Sequence, residues 1–414
     1  MKVTGIIAEY NPFHQGHAYH LSRARELTGA DRILVVMGGN FMQRGEPAII
    51  DKYTRTEMAL RNGADLVLEL PAASATGSAE YFAEGAVELL DASGVVNELC
   101  FGSELGELEP LEKAAELLLE EPEDYQELLR AELKKGKTFP EARETALSAF
   151  LPEQSLLASP NNILAIEYIK ALKRRKSSIR PLTIQRLGSY HGEDGQPAGA
   201  PHTVSGNLPE SFASASTIRC QLHTLEKQIV TSCEQPAFGS LMTALAKELP
   251  PSSFGLLKDV LLADRLVQAE DFSLPLHYRL MQAKEPLEFS VYLDVSEELS
   301  RRIYSLHQEF TGWNAFLDLV RTRQYTRSRV SRALLHILLD IHQEEVLPPT
   351  HLRVLGFRRE ASDLLSEIKK KAGCLLSPRQ PAIRNFRKKS GSLLFIISET
   401  PITSFPDLLS FFSS

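Results

Sequence analysis

Two histidines three positions apart carry the first chemical signal in this 414-residue sequence. His14 and His17 lie in the segment EYNPFHQGH (residues 9–17), between an apolar run typical of a strand and a stretch with helical leucine and alanine spacing. A helix start in that place offers unpaired N–H groups, and a glycine lets the backbone approach an anion. The imidazoles can then donate to phosphate oxygens whose charge grows as phosphorus is attacked. The alternative is that both imidazoles merely cap the helix.

Hydroxyls and a guanidinium form a second cluster in SASTIR, residues 214–219. The cluster begins a predicted helix, after a segment rich in Gly, Pro, Ser and acids (residues 188–212) that predicts a surface loop. Ser216 and Thr217 can cap that helix, or their hydroxyls and the Arg219 fork can hold the β- and γ-phosphates of ATP. Together with the paired histidines, the cluster favours phosphate binding.

A third polar segment, GGNFMQRGEP (residues 38–47), follows the second predicted strand. Because parallel strands end at one edge of a sheet, Asn40, Gln43 and Arg44 are expected at the same edge as the histidines. The alternative is an ordinary turn.

Four continuous apolar runs, VTGIIAE, DRILVVMGGN, ADLVLELP and VVNELCFGSE, alternate with amphipathic helical segments. This pattern predicts a doubly wound, Rossmann-like parallel α/β sheet, with Asp51 capping one helix. We expect a catalytic domain over residues 1–235, with a helical excursion over about 104–175 and one more strand at RPLTIQRL. A mainly helical domain over 236–345 and a small α/β part over 346–414 follow, the latter with strands at LRVLGF and SLLFIIS.

Composition excludes several classes of protein. A hydrophobic content of 43% and a charged content of 24% exclude a disordered or fibrous chain. No stretch reaches the roughly 18 to 20 apolar residues of a membrane span, which predicts a cytoplasmic protein without a membrane partner. The four cysteines contain no CxxC pair, so we expect buried, inert thiols and no metal site: Cys100, Cys220, Cys233 and Cys374.

Basic residues cluster in the C-terminal half although the net charge is -7. Residues 321–332 hold five arginines, one tyrosine and no acid, which suits phosphate contact and base stacking. A solvated helix face is the alternative reading, but two such stretches favour an RNA-binding surface. The predicted RNA-binding residues are Arg321, Arg323, Tyr325, Arg327, Arg329, Arg332, Lys369, Lys370 and Lys371, followed by Arg379, Arg384, Arg387, Lys388 and Lys389.

Residues 1–220 resemble the bacterial tRNA(Met) cytidine acetate ligase family of the HxGH nucleotidyltransferase superfamily. The resemblance rests on EYNPFHQGH, FMQRGEPAIIDKYTRTEMAL, GADLVLELP, FGSE, SPNNILAIEYI and SASTIR, and more loosely on RTRQYTRSRVSR and LRVLGF. Family members commonly have Asn where Gln15 stands and Ser where Gly38 stands. Neither difference alters the two histidines.

The resemblance implies an enzyme that condenses acetate with ATP to acetyl-adenylate. The acetyl group would then pass to N4 of the wobble cytidine in the anticodon of elongator tRNA(Met), with Mg²⁺ offsetting phosphate charge. His14 and His17 would be catalytic, and Asn40, Gln43 and Arg44 would place acetate or the splayed cytosine. By matching position, the residues that would bind ATP are Ile7, Ala8, Glu9, Tyr10, Asn11, Pro12, Phe13, His14, Gln15, Gly16, His17, Ala18, Tyr19, His20, Gly102, Asn162 and Arg186, beside the SASTIR residues.

Two other functions remain open from the sequence. One is a nucleotidyltransferase that adenylylates a small metabolite, and the other is a non-catalytic RNA-binding protein with the same fold. The arginine-rich half disfavours the first, and the intact His14, Gly16, His17 and Arg219 disfavour the second. The absence of a KMSKS-like string disfavours an aminoacyl-tRNA synthetase. The sequence does not predict an oligomeric state.

Overall fold

A computed structural model describes residues 1–151, 156–186, 212–231, 236–345, 351–372, 375–377, 383–387 and 393–397. The strands are β1 Val3–Ala8, β2 Arg32–Gly38, β3 Leu66–Leu70, β4 Glu98–Ser103, β5 Arg180–Gln185, β6 His351–Arg358, β7 Leu375–Ser377, β8 Ile383–Arg387 and β9 Leu393–Ile397. The helices are α1 Gln15–Thr28, α2 Lys52–Arg61, α3 Ala72–Ala75, α4 Ala79–Ala92, α5 Leu108–Glu120, α6 Glu123–Lys134, α7 Phe139–Phe150, α8 Pro160–Arg174, α9 Ala215–Thr231, α10 Pro236–Glu248, α11 Pro251–Leu262, α12 Ser273–Met281, α13 Glu297–Leu306, α14 Trp313–Val320, α15 Arg327–Leu339 and α16 Ser362–Lys371.

The chain forms two compact units, each built from several segments. Unit one contains Met1–Val35, Met58–Asp65 and Val95–Leu266, and unit two contains Val36–Glu57, Leu66–Gly94 and Val267–Ser414. This division differs from the three consecutive parts expected from the sequence, because β2 and α2 each contribute residues to both units. The three-part division stays a prediction.

Unit one is a parallel sheet covered by helices, as the continuous apolar strands predict. β4 pairs in parallel with β1 on one side and with β5 on the other, and β2 lies on the far side of β1. The strand that follows β1 in the chain, β2, therefore lies on one side of β1, and β4 lies on the other side. In doubly wound sheets, the carboxyl ends of such a strand pair mark the point where ligands bind. The segments after β1 and β4 are those that the sequence singles out.

Unit two joins β3 to β6, and the pairing is antiparallel, with a bulge between Val67 and Leu68. The predicted strands at LRVLGF and SLLFIIS are confirmed as β6 and β9, and these also pair antiparallel. The helical region predicted after residue 235 is confirmed as α10 to α15. A core around Trp313, Phe316 and Leu334 holds α12 to α15 together, because these side chains have almost no exposed surface.

Several smaller predictions can be compared with the structure. Asp51 accepts from the backbone N–H groups of Tyr53 and Thr54 at 2.9 Å each, so the predicted cap of α2 is confirmed. Cys100 is buried, but Cys220 is exposed, so the prediction of a buried thiol was wrong there, because Cys220 lies on the outer face of α9. Cys233, Cys374 and nearly all of the predicted loop over 188–212 lie outside the described residues.

Neither a membrane-spanning helix nor a metal-binding cluster occurs in the part of the chain that the structure describes. Within the described ranges, no helix is both long and apolar enough to cross a bilayer. In the same residues, no group of three or more His, Cys, Asp or Glu side chains is arranged to hold a metal ion.

Candidate active site

The segment over residues 7–20 connects the end of β1 to the first half of α1. Its two histidines do cap the helix: His14 Nδ1 accepts from Gly16 N at 3.1 Å, and His17 Nδ1 accepts from His14 N at 3.3 Å. An imidazole nitrogen that accepts carries no proton, so in the neutral ring the proton sits on the other nitrogen. Capping therefore fixes both rings in the tautomer whose Nε2–H can donate. The two readings of this motif are compatible.

The surroundings keep these imidazoles neutral. Burial lowers the pKa of His14 to about 3, and the cationic Arg186 and Arg219 act in the same direction. Burial and the neighbouring His14 hold the pKa of His17 well below its usual value. Burial also lowers the pKa of His20 to about 4, and its Nε2 is buried without a hydrogen-bond partner. At neutral pH the loop thus presents uncharged N–H donors.

Aromatic packing holds the histidine rings in place. The His14 and His17 rings lie 3.8 Å apart between centroids, and the buried Tyr10 ring meets His17 edge-on at 4.8 Å. Gly16 is needed at this point, because a Cβ there would lie 2.9 Å from His14 Cε1. A side chain at residue 16 would therefore push His14 off the helix start.

The SASTIR segment meets this loop through Arg219. Arg219 Nη1 donates to the Asn11 carbonyl at 2.9 Å, and Nη2 donates to Ser216 Oγ at 3.1 Å. The cap of α9 is Ser214, whose Oγ accepts from Thr217 N at 3.1 Å. The capping role considered for Ser216 and Thr217 thus belongs to Ser214. Both hydroxyls stay at the helix start, in the first turn of α9.

The residues expected after β4 form a hydrogen-bonded group with α8 and β5. Asn162 Oδ1 accepts from Glu104 N at 3.0 Å and Leu105 N at 3.2 Å, so this amide oxygen fixes the turn that follows β4. Arg186 Nη1 donates to Asn161 Oδ1 at 3.1 Å. A Cβ on Gly102 would lie 3.2 Å from Arg186 Cγ, so the glycine makes room for this arginine.

Sequence reasoning missed two members of this group. Glu104 accepts from Asn161 Nδ2 at 2.6 Å and from Asn162 N at 3.0 Å, and thereby ties the turn after β4 to the start of α8. Both residues stand in strings that the sequence analysis singled out, FGSE and SPNN. Their hydrogen bonds could not be predicted, because the two strings lie more than fifty residues apart in the sequence. Unit one therefore assembles neutral imidazoles, a helix start and two arginines, an arrangement suited to a phosphate chain.

Asn40, Gln43 and Arg44 belong to unit two. Asn40 Oδ1 accepts from Lys52 N at 3.0 Å, so this side chain orders the start of α2. Gln43 is half-buried and Arg44 is exposed in a tight turn closed by a 2.9 Å bond from Gly45 N to Met42 O. Their expected role toward acetate or cytosine stays a prediction.

A buried arginine shapes the glycine pair that precedes this turn. Arg55 is fully buried and donates to the carbonyls of Gly38 and Gly39. At Gly38 a Cβ would find its nearest atom at 3.6 Å, an ordinary contact. The serine common in the family therefore fits at this position.

The arginine-rich stretch contains residues with different surroundings. The side chain of Tyr325 is 6% exposed and belongs to the core of unit two, with the Arg329 guanidinium 5.2 Å from its ring centroid. The role of Tyr325 in stacking on bases stays a prediction, and in this structure the ring is buried. Arg327 pairs with Asp318 at 2.5 Å and Arg332 with Asp294 at 2.7 Å.

The remaining basic residues are more accessible. Arg321 and Arg323 are exposed, and Arg321 approaches Asp318 only to 3.9 Å. Lys369, Lys370 and Lys371 are exposed at the end of α16, where Lys370 pairs with Glu367 at 2.9 Å. Arg379, Lys388 and Lys389, and the side chains of Arg384 and Arg387, lie outside what the structure describes.

The family model and the similar proteins of known name point to the same family. The family model of the HIGH nucleotidyl transferases matches residues 1–393. The tRNA(Met) cytidine acetate ligase of Acetivibrio thermocellus is 41% identical over 383 residues, covering 90% of this chain and 86% of the relative. That of Thermoanaerobacter sp. strain X514 is 43% identical over 378 residues, covering 90% and 87%.

Solved structures agree with these relatives. The crystal structure of Thermotoga maritima TmcAL bound with alpha-thio ATP is similar with a TM-score of 0.76 at 35% identity, covering 91% of this chain and 85% of that one. The apo form of the same protein gives a TM-score of 0.78 at 36% identity, with 91% and 86% covered.

Proposed function

The chain belongs to the HIGH nucleotidyl transferase family, and from this premise we propose that it is an ATP-dependent tRNA(Met) cytidine acetate ligase. It activates acetate as acetyl-adenylate and transfers the acetyl group to N4 of the wobble cytidine of elongator tRNA(Met). The observation that carries the proposal is the pair of neutral imidazoles at the start of α1, with Nδ1 engaged in capping and Nε2–H left to donate. Relatives of that name share 41% and 43% identity over most of the chain.

In the first step, an acetate oxygen attacks the α-phosphorus of ATP and pyrophosphate leaves. Acetate is already ionised at neutral pH, so the step needs alignment and charge stabilisation rather than a general base. His14 and His17 donate through Nε2–H to oxygens of the reacting phosphate. Uncharged donors suit this role, because their hydrogen bonds strengthen as negative charge develops.

The rest of the triphosphate requires positive charge. We assign the β- and γ-phosphates to Arg219 with Ser216 and Thr217, because a guanidinium and two hydroxyls at one helix start suit phosphate oxygens. Arg186 and the half-buried Gly102 are assigned to the nucleoside side of the site. If Mg²⁺ enters with the nucleotide, it would supply further charge neutralisation to the phosphates that Arg219, Ser216 and Thr217 hold.

In the second step, N4 of cytosine attacks the acetyl carbonyl and AMP leaves. The exocyclic amine is a weak nucleophile, so the adenylate has to be held close to it and away from water. An anticodon base is single-stranded and can be splayed into a pocket. Asn40, Gln43 and Arg44 are our candidates for placing acetate or this base.

The test is a reaction of purified protein with ATP, labelled acetate and total tRNA, followed by nuclease digestion. We expect label in N4-acetylcytidine of elongator tRNA(Met), with one AMP and one pyrophosphate released per acetyl group. Label in a small metabolite but never in tRNA would instead establish a nucleotidyltransferase. No consumption of ATP under any condition would favour a non-catalytic RNA-binding protein.

The role of Arg44 has its own test. If Arg44→Ala binds ATP normally and acetylates tRNA at the rate of the unchanged protein, Arg44 has no part in placing acetate or cytosine.

A further inference from the structure

The turn of residues 42–45, here called the QRG turn, is attached to the start of α15 within unit two. Gly45 has a φ of +77° and lies so close to α15 that a Cβ on it would be 2.3 Å from Arg332 N and 2.5 Å from the Ser331 carbonyl carbon. Only glycine allows this approach, because the atoms in the way belong to helix backbone. The turn and the helix therefore behave as one body.

A buried hydrogen bond reinforces the attachment. Ser331 is 1% exposed, and its Oγ donates to the Gly45 carbonyl at 2.8 Å. On the other side of the helix start, Arg332 Nε is held by Asp294 at 2.7 Å. Gly45 is thus held to α15 by one buried hydrogen bond and by its close approach to the helix backbone.

Helix geometry then brings two basic residues to the same surface. Arg44 precedes Gly45 and is exposed, and residues 328 and 329 lie one helical turn before 331 and 332. Among the described residues, Arg329 has no carboxylate within ion-pair distance and neither does Arg323, in contrast to Arg327 and Arg332. The attachment therefore brings Arg44 to the same part of α15 as Arg329, whose guanidinium lies over the Tyr325 ring and acts on the Glu298 carboxylate from beyond ion-pair distance.

We infer that the QRG turn and the first two turns of α15 form a single surface that contacts the sugar-phosphate backbone of RNA, and that Gly45 is its positioning residue. This inference rests on the proposed function, which makes tRNA the partner. Arginine forks and the Ser328 hydroxyl donate to phosphate oxygens, and such contacts set register without reading bases. The inference gives Arg44 a contact with the RNA backbone beside its proposed role in placing acetate or cytosine.

The experiment measures the affinity of the full-length protein for tRNA(Met) by filter binding over a range of salt concentrations. For Gly45→Ala we expect at least a tenfold loss of affinity and a smaller slope of log K against log salt, by roughly 0.7 to 0.9 for each phosphate group that the variant no longer neutralises. The matched control is Gly136→Ala, because Gly136 has a φ of +83° with no atom within 4 Å of a Cβ there. The control should bind tRNA as the unchanged protein does.

A second variant covers the case in which Gly45→Ala fails to fold. Ser331→Ala removes only the bond to the Gly45 carbonyl, and we expect a smaller loss of affinity with the same direction of slope change. Its control is Ser300→Ala, which deletes a comparable buried bond, from Ser300 Oγ to the Pro286 carbonyl at 2.7 Å.

The outcomes separate the inference from the proposed function. Unchanged tRNA affinity and slope in folded Gly45→Ala or Ser331→Ala would overturn the inference. So would a loss of acetate-dependent pyrophosphate exchange in these variants with tRNA binding intact, because the turn would then serve acetate. Absence of that exchange in the unchanged protein would contradict the proposed function alone, since tRNA binding would still be measured.

Discussion

At the scale of single residues, the two nitrogens of each of the paired imidazoles, His14 and His17, have different surroundings. Nδ1 of His14 and His17 accepts backbone N–H groups at the start of α1, which forces the proton of the neutral ring onto Nε2. The sequence predicted these two residues from their spacing and place after a strand. It set capping against catalysis as alternatives, since it contains no information on which nitrogen faces which neighbour.

The lowered histidine pKa values predict how stability depends on pH. His14 has a folded pKa of about 3 and His20 of about 4, while an unfolded histidine titrates near 6.5. Between these values the unfolded chain binds more protons, so the free energy of unfolding should fall as pH drops from about 7 toward 4. Urea unfolding at several pH values measures this. His20→Gln should reduce the slope, and an unchanged slope would contradict the assignment for His20.

Of two glycine substitutions, one should lower the rate of adenylate formation and the other should leave it nearly unchanged. Gly16→Ala sets a Cβ 2.9 Å from His14 Cε1 and should lower the rate of adenylate formation by about 100-fold or more, since it displaces a donor. In Gly38→Ser the new Cβ would lie 3.6 Å from its nearest neighbour, Met42 Cε, so this variant should retain activity within about twofold. Acetate-dependent pyrophosphate exchange measures both. Equal effects of the two changes would refute the packing argument.

At the scale of elements, the sheet was predictable where the signal was local. β1 to β4 are short apolar runs between helical segments, and such runs favour buried parallel strands. The antiparallel pairing of β6 with β3 was not predictable, because these strands lie nearly three hundred residues apart and the bulge interrupts their register. The hydrogen bonds from the start of α8 to Glu104 were not predictable for the same reason, a large separation in the sequence.

The turn after β4 should depend on the Asn162 amide. Asn162→Ala leaves the N–H groups of Glu104 and Leu105 without their acceptor, which should cost about 1 to 3 kcal/mol of folding free energy and weaken ATP binding. Urea unfolding and ATP titration measure the two effects. Glu107→Ala is the control, because this nearby carboxylate is exposed and makes no cap bond. If both variants match the unchanged protein, the turn does not need Asn162.

At the scale of the whole molecule, charge is distributed unevenly. The net charge of -7 hides a stretch of five arginines without an acid. This stretch is visible in the sequence, but the sequence does not show which of its arginines form ion pairs. The partner carboxylates, Asp294 and Asp318, come from other parts of the chain. The sequence also could not predict that the Tyr325 ring is buried, since burial of one ring depends on how four helices pack.

The paired and unpaired arginines should respond differently to substitution. Arg323→Ala should weaken tRNA binding, reduce the salt slope by roughly 0.7 to 0.9 and leave stability unchanged, because an exposed arginine contacts only phosphate. Arg332→Ala leaves Asp294 without its partner and should mainly lower the free energy of unfolding. Filter binding and urea unfolding separate the two. A stability loss in Arg323→Ala without any change in the salt slope would reverse these roles.

The most direct test of the central claim is acetate-dependent exchange of labelled pyrophosphate into ATP by the double variant His14→Ala, His17→Ala. This reaction reports adenylate formation without tRNA. If the two Nε2–H groups stabilise the reacting phosphate, the exchange rate should fall by at least about 1,000-fold while the variant stays folded. A folded double variant that exchanges at the rate of the unchanged protein would contradict the claim.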